Sequence, residues 1–214
     1  ALEPSILEQA MIYGDMLSIS IMIDSLSSDT LLGGDEYELV QLVVAMAAKY
    51  PNVPVHLANI QSIHSLAAVK EAKQDKRNIT CSVSGRTLVT ERHQDIFMEG
   101  IKTDLIDAVG SYDQGIVADA SLSNMQQLIS HLVSMLDNDR SISVVKLFEK
   151  ITKGPSDILQ IKVPPLSINQ VVNLSFLDFD EVFEWGTGGC IGWYRDADLQ
   201  LKDGVGVSLK ANNE

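Results

Sequence analysis

The 214-residue chain is 45% hydrophobic and carries 29 acidic against 16 basic side chains, a formal net charge of −13. This hydrophobic content can bury the core of one sizeable domain, and the acidic balance argues against nucleic acid or anionic membrane as a partner. No apolar run reaches the roughly 18 residues of a membrane-spanning helix, so we predict no membrane insertion.

Cysteine usage and the first residues indicate the compartment. Cys81 and Cys190 are too few for a disulfide framework, which suits a reducing environment. The chain shows no basic stretch followed by an apolar one, the pattern of a signal peptide. We therefore expect an intracellular protein, cytoplasmic in the first instance, with an organelle as the open alternative.

The first part of the chain alternates helical and strand patterns. Residues 5–16 have apolar side chains at helical spacing and precede a short buried strand at 18–24. The next helix begins at Asp35 and is followed by a strand at 53–58. Ser62 is the expected N-cap of the helix after that strand.

The same alternation continues downstream. The β-branched segment 78–83 predicts a strand, and a helix at 94–101 leads to another strand at 105–109. Residues 122–136 have the clearest helical periodicity in the chain. Ser143 is expected to cap a further helix, which the Gly154-Pro155 pair is expected to end.

Strands separated by helices of this length indicate βαβ units and a parallel sheet. The pattern is typical of part of a (β/α)₈ barrel or of an open doubly wound sheet. After Leu166 the helical period disappears, and the segment rich in glycine and aromatic residues contains a strand-like stretch at 171–176. We predict an α/β-barrel portion over residues 1–166 and a small C-terminal β segment or extended arm over residues 167–214.

The order of these segments resembles the later part of dihydroorotase, a member of the amidohydrolase superfamily. Residues 55–62 resemble the family's V-H-I-x-H-V-S-T junction, and residues 78–88 resemble its V-T-x-E-V-x-P-H-H-L segment. Residues 99–113 resemble G-x-x-D-G-x-I-D-x-x-x-S-D-H, and residues 142–159 resemble the last barrel helix. The stretch 171–185 is similar to the start of the family's C-terminal β segment. The resemblance implies a partial TIM barrel of the amidohydrolase type, since a complete barrel takes about 250 residues.

Carried over residue by residue, the resemblance implies that the metal and catalytic positions have changed. The His ligand that ends V-H-I-x-H corresponds to Asn59, and the P-H-H pair corresponds to Arg86 and Thr87. A strand end with another substrate or metal His corresponds to Asp24. Asn is a poor neutral ligand, and Arg brings a fixed positive charge that opposes Zn²⁺.

The position of the family's catalytic aspartate stays open between two residues. An alignment without a gap places it on Tyr112, whereas a shift by one residue restores Asp113 as the acid. We predict a vestigial pocket without metal, cofactor or catalytic residues, in which Arg86 pairs with Asp113 or Asp24. His56, inside an apolar strand, is interpreted as a satisfied core histidine and Cys81 as a small buried side chain.

Three classes of function remain. We expect a catalytically inactive dihydroorotase-like subunit with a structural or assembly role, because this chain has other residues where the resembled family has its metal ligands. The alternatives are an active metal-dependent cyclic amidohydrolase of the dihydroorotase or hydantoinase type, and a metal-free small-molecule binding protein. The expected partners are other protein subunits, with an aspartate transcarbamoylase-like chain and a larger assembly as the candidates. Either the chain is a fragment of a longer barrel, or another polypeptide covers its open edge.

Overall fold

The computed structural model describes two separate parts of the chain. In the first compact unit, Ala1–Lys162, it describes residues 3–25, 36–85, 88, 94–110 and 142–162. In the second unit, Val163–Glu214, it describes four short strands. The domain boundary at residue 166 stays a prediction.

Helices and strands alternate along the first unit, as the periodicity predicts. The helices are α1 (Pro4–Leu17), α2 (Glu36–Lys49), α3 (Ile63–Gln74), α4 (Gln94–Lys102), α5 (Val144–Glu149) and α6 (Lys153–Ile158). The strands are β1 (Ile21–Asp24), β2 (Val55–Ala58), β3 (Ile79–Ser84) and β4 (Ala108–Gly110). The predicted helix at 122–136 lies outside the described residues. None of the described helices is long and apolar enough to cross a membrane.

The four strands form one sheet in the order β1-β2-β3-β4, and each adjacent pair is parallel. Ile21 is opposite Val55, which in turn is opposite Ile79, and Ser82 is opposite Ala108. The predicted parallel sheet, with its strands adjacent in sequence order, is therefore confirmed.

The two faces of the sheet differ in polarity. Val55, Leu57, Cys81 and Val83 alternate on one face and belong to the buried core that they share with apolar side chains of the helices. The other face carries polar side chains, beginning with His56 on β2. The helices cover the apolar face, so the polar face is the one that a closed barrel would enclose.

The start of β4 is a correction to the sequence analysis. We predicted a strand over 105–109, but β4 begins at Ala108. The N–H of Ile106 donates to the carbonyl of Gly100 at 2.9 Å, which satisfies the end of α4. The side chain of Ile106 is fully buried, so its apolar character serves the helix–sheet core before the strand begins.

The predicted helix stop at Gly154-Pro155 is wrong. The helix after Ser143 ends at Glu149. Gly154 and Pro155 lie in the first turn of the next helix, α6. Proline is tolerated in a first turn because its missing N–H has no intrahelical partner there. The pair therefore marks a helix start.

We expect Ser62→Ala to lower the free energy of unfolding by about 1 kcal/mol. The Ser62 hydroxyl accepts a hydrogen bond from the backbone N–H of His64 at 3.2 Å, so it caps α3 as predicted. Ser143 occupies the N-cap position of α5 but makes no capping side-chain hydrogen bond. Ser143→Ala is therefore the matched control, with an expected change near zero in urea unfolding. Equal losses for the two variants would contradict the assignment.

The second unit contains only β-structure within its described residues. Strand β5 (Leu174–Ser175) pairs antiparallel with β6 (Trp193–Tyr194), and β7 (Leu199–Lys202) pairs antiparallel with β8 (Val205–Ser208). The small C-terminal β segment or extended arm over residues 167–214 stays a prediction.

Candidate functional site

The carboxyl ends of β1 and β2 bring together two of the predicted pocket residues. The Asn59 Nδ2 atom donates a hydrogen bond to Oδ1 of Asp24 at 3.1 Å. Asn59 is buried, and Asp24 is partly exposed. This adjacency follows from the parallel register, in which Asp24 is opposite Ala58.

The backbone around Asn59 is held in place by three hydrogen bonds. The Ser25 hydroxyl donates to the carbonyl oxygen of Asn59 at 2.7 Å, and the Ser25 N–H donates to the carbonyl of Ala58 at 3.0 Å. The next residue, Ile60, donates its N–H to the carbonyl of Ser82 at 2.9 Å. Asn59 adopts φ 61°, in the left-handed region that asparagine tolerates better than most residues.

Asn59 does not supply the imidazole that the resembled family has at this position as a zinc ligand. The amide nitrogen of Asn59 is a hydrogen-bond donor directed at the carboxylate, whereas Zn²⁺ is bound by imidazole, thiolate or carboxylate. Within the described residues, no group of three or more His, Cys, Asp or Glu side chains is placed to hold a metal ion. The pair can bind polar groups by hydrogen bonds.

The other predicted pocket residues, Arg86, Thr87, Tyr112 and Asp113, lie outside the described residues. The proposed pairing of Arg86 with Asp113 or Asp24 therefore stays a prediction. Ser84 ends β3 at the same edge of the sheet as Asp24 and Asn59, and it is buried.

His56, Thr80 and Ser82 form a row of hydrogen-bonded polar side chains on the polar face of the sheet, which is called the inner face below. His56 is 3% exposed, with Nδ1 2.9 Å from Oγ1 of Thr80 and Nε2 3.1 Å from Oγ of Ser82. Burial lowers the pKa of His56 to about 4, with a smaller contribution from the charge of Lys73. The histidine is therefore neutral at physiological pH, and its interpretation as a satisfied core histidine is confirmed.

Cys81 also behaves as a structural side chain. It is fully buried on the apolar face, and burial, with a smaller contribution from the charge of Asp107, raises the pKa of its thiol to about 12. A thiol with this pKa is protonated at neutral pH and is a poor nucleophile.

A cavity of about 490 Å³ opens at the opposite ends of the strands, where they begin. Residues that line it include Ser20, His56, Thr80, Asp104, Asp107 and Lys150. The sequence analysis missed this cavity because α6 and the residues before β1 are far apart in sequence; their proximity appears in the hydrogen bond from Ser20 Oγ to the Ile158 carbonyl at 3.4 Å.

Two ion pairs lie beside the cavity. Lys150 is buried and contacts Asp104 at 2.7 Å, and Lys73 contacts Asp107 at 2.6 Å. Hydrogen bonds from Lys146 and Lys150 lower the pKa of Asp104. Each of these two lysines therefore already has a carboxylate partner.

The fold is similar to that of solved cyclic amidohydrolases. Dihydropyrimidinase from Brevibacillus agri NCHU1002 aligns with a TM-score of 0.54 and 12% identity, covering 73% of this chain and 47% of that one. A D-hydantoinase aligns with a TM-score of 0.52 and 10% identity, covering 70% and 45%. The parallel α/β sheet is therefore consistent with a partial barrel, similar in fold to part of each of these two structures.

At the sequence level the chain is similar to two dihydroorotases. The dihydroorotase of Wolbachia sp. subsp. Brugia malayi (strain TRS) is 24% identical over 233 residues, covering 86% of this chain and 52% of that protein. The dihydroorotase of Wolbachia sp. subsp. Drosophila simulans (strain wRi) is 23% identical over 232 residues, with the same coverage. No protein-family model matches the sequence. The chain spans about half the length of these curated relatives. The similarity supports the predicted resemblance to dihydroorotase, and the loss of the family's metal ligands stays a prediction.

Proposed function

We propose that this chain is a catalytically inactive dihydroorotase-like subunit with a structural role in a protein assembly. The observation that supports the proposal most directly is the partly buried hydrogen bond from Asn59 to Asp24 at the carboxyl ends of the strands. This edge is where barrel enzymes place their catalytic groups. The resembled family has a metal-binding histidine at the position of Asn59.

The proposal has a simple chemical basis. A binuclear zinc centre activates a bridging water, and it needs several imidazole and carboxylate ligands to do so. An asparagine whose amide nitrogen donates to Asp24 supplies neither charge nor a strong ligand atom at that position. Arg86, which the resemblance places at the same pocket, would add a positive charge that disfavours a cation.

An active cyclic amidohydrolase is the second candidate. It is favoured by the relatives, which are named as dihydroorotases and, among solved structures, as a dihydropyrimidinase and a D-hydantoinase. This candidate requires ligands from residues outside the described ranges or from another polypeptide. It predicts metal binding, which the first candidate does not.

We expect the purified chain to bind no stoichiometric zinc and to leave dihydroorotate unhydrolysed. Elemental analysis after growth with zinc and an assay of ring opening measure the two properties, with the Brugia malayi Wolbachia dihydroorotase as the positive control. Asn59→His is expected to stay inactive, because several ligands are missing together. About one zinc ion or more per chain, or hydrolysis above the buffer rate, would contradict the proposal.

A further inference from the structure

Lys150 lies buried in the wall of the cavity at the starts of the strands. Its side chain is 8% exposed, and its Nζ atom donates one hydrogen bond, to Oδ1 of Asp104 at 2.7 Å. A lysine ammonium has three N–H donors, and a buried charge is costly when its donors lack acceptors. Two donors of Lys150 have no acceptor among the described residues, so they call for a further partner in the cavity.

Lys73, at the same end of the sheet, has an acceptor for each of its donors. Its Nζ atom donates to Oδ2 of Asp107 at 2.6 Å, to the Leu105 carbonyl at 2.8 Å and to the Asp104 carbonyl at 3.3 Å. Its side chain is nevertheless more exposed than that of Lys150, at 22%. The more deeply buried ammonium is therefore the one with donors left over, and it is the one that lines the cavity.

The cavity lies between α6 and the starts of the strands, and both sides supply lining residues. The Val109 N–H donates to the Lys150 carbonyl at 2.9 Å, which places the segment before α6 beside β4. After α6, the Gln160 Nε2 atom donates to Oγ of Ser20 at 3.1 Å, just before β1. The described residues thus build the walls, and the volume of about 490 Å³ is in the range of small-molecule sites.

The charges around the cavity balance. Its lining includes four carboxylates and two ammonium groups, those of Asp104, Asp107, Glu149 and Asp157, and of Lys150 and Lys153. Two more ammonium groups, of Lys73 and Lys146, pair with Asp107 and Asp104 without lining the cavity themselves. Surroundings with equal numbers of both signs favour a ligand that is neutral overall and carries polar groups of both kinds.

Asp107 offers an acceptor that complements the donors of Lys150. The Cys81 N–H and the Lys73 ammonium both donate to Oδ2 of Asp107. Its Oδ1 atom has no hydrogen-bond donor among the described residues. One cavity therefore has spare donors on a cation and a spare acceptor on an anion.

We propose that this cavity binds a small zwitterion of the amino-acid class. The ligand carboxylate accepts hydrogen bonds from Lys150, and the ligand ammonium donates to a lining carboxylate, Asp107 foremost. A simple anion would add negative charge to a chain of net charge −13, and a simple cation would leave the donors of Lys150 without acceptors. The site lies at the opposite edge of the sheet from Asn59, so it does not depend on the proposed function.

The test measures binding of single amino acids to the full chain. Each protein amino acid is added separately at about 10 mM during thermal unfolding, because a ligand that binds the folded state raises the midpoint. At least one is expected to do so, with a Kd of about 1 mM or lower by titration calorimetry. The matched probes are the two analogues of that amino acid that lack the α-amino group or the α-carboxylate. Each analogue is expected to bind about tenfold or more weakly.

Two variants locate the binding at the cavity. Lys150→Met is expected to weaken binding by about tenfold or more. Lys146→Met is the matched control with no expected effect, since Lys146 contacts the same Asp104 carboxylate at 2.8 Å but does not line the cavity. Asn78→Trp narrows the cavity from an exposed lining position and keeps both ion pairs, so it tests the site even if Lys150→Met does not fold.

The outcomes decide between a ligand and water at Lys150. Stabilisation by none of the amino acids would overturn the inference, because water would then serve as the acceptor. Equal binding of the analogue without a carboxylate, or unchanged binding to a folded Lys150→Met or to Asn78→Trp, would also overturn it. Zinc content and dihydroorotate hydrolysis measured on the same preparations test the proposed function independently.

Discussion

Replacing Gly154 by alanine is expected to lower the free energy of unfolding by about 2–3 kcal/mol. A Cβ atom at this position would lie 2.1 Å from the backbone carbonyl oxygen of Asp107. The constraint is space, because the φ of Gly154 is outside the left-handed region. Thermal unfolding followed by circular dichroism should show the midpoint falling by roughly 5–10 °C.

Asp107 has little freedom to move away from the new methyl group. Its Oδ2 accepts the Cys81 N–H at 2.8 Å and the Lys73 ammonium at 2.6 Å, and its own N–H donates to the Cys81 carbonyl at 2.9 Å. Displacing this carbonyl therefore disturbs the entry to β4 as well as α6.

Gly14→Ala is the control for the substitution itself. Its Cβ atom would lie 2.8 Å from Cγ1 of Val53 and 3.1 Å from Cγ1 of Ile21, which are side-chain atoms and not a backbone carbonyl. Alanine also favours a helix interior over glycine by about 1 kcal/mol, which offsets part of the packing cost, so a smaller loss than that of Gly154→Ala is expected. Equal destabilisation by the two variants would show that the Asp107 contact has no special effect.

The local sequence pattern predicted the order of helices and strands because the apolar side chains of each element follow the spacing typical of that element. The strand at Ile79–Ser84 is rich in β-branched side chains, and α3 begins with a serine that caps it. The pattern gave a wrong strand start near Ile106 and a wrong helix end at Gly154, because tertiary contacts determine the structure at both positions. Ile106 completes the end of α4, and Gly154 is required by the approach of Asp107.

The sequence predicted the candidate site only where the parallel register of the strands determines which residues are neighbours. Asp24 and Asn59 end adjacent strands, so their proximity follows from the sheet, but the direction of the amide–carboxylate hydrogen bond does not. The buried Lys150 was missed because its carboxylate partner Asp104 is 46 residues away in sequence. Pairing across that separation has no local signal.

The contribution of His56 to the free energy of unfolding is expected to fall by about 3 kcal/mol as the pH is lowered from 6.5 to 4. Its pKa in the folded protein is lowered from the ordinary value of 6.5 to about 4, mainly by burial. Between these two values the unfolded chain binds a proton at this position while the folded protein does not. Stability is therefore complete above pH 6.5, declines as pH falls, and does not change further on this account below pH 4.

His56→Gln isolates this effect from the titration of the carboxylates. Glutamine is uncharged at every pH and keeps groups that can bond Thr80 and Ser82, the two hydroxyls that contact the imidazole. Urea unfolding of both proteins at pH 7 and pH 4.5 gives the difference in free energy at each pH. The variant is expected to be less stable at pH 7, with most of the gap closed or reversed at pH 4.5.

The result has a direct structural meaning. A gap that closes at low pH shows that the hydroxyl pair on the inner face holds a neutral imidazole, the state in which burial costs least. A gap of the same size at both pH values would mean that His56 titrates alike in the folded and unfolded chains. That outcome would contradict burial as the cause of the lowered pKa of His56.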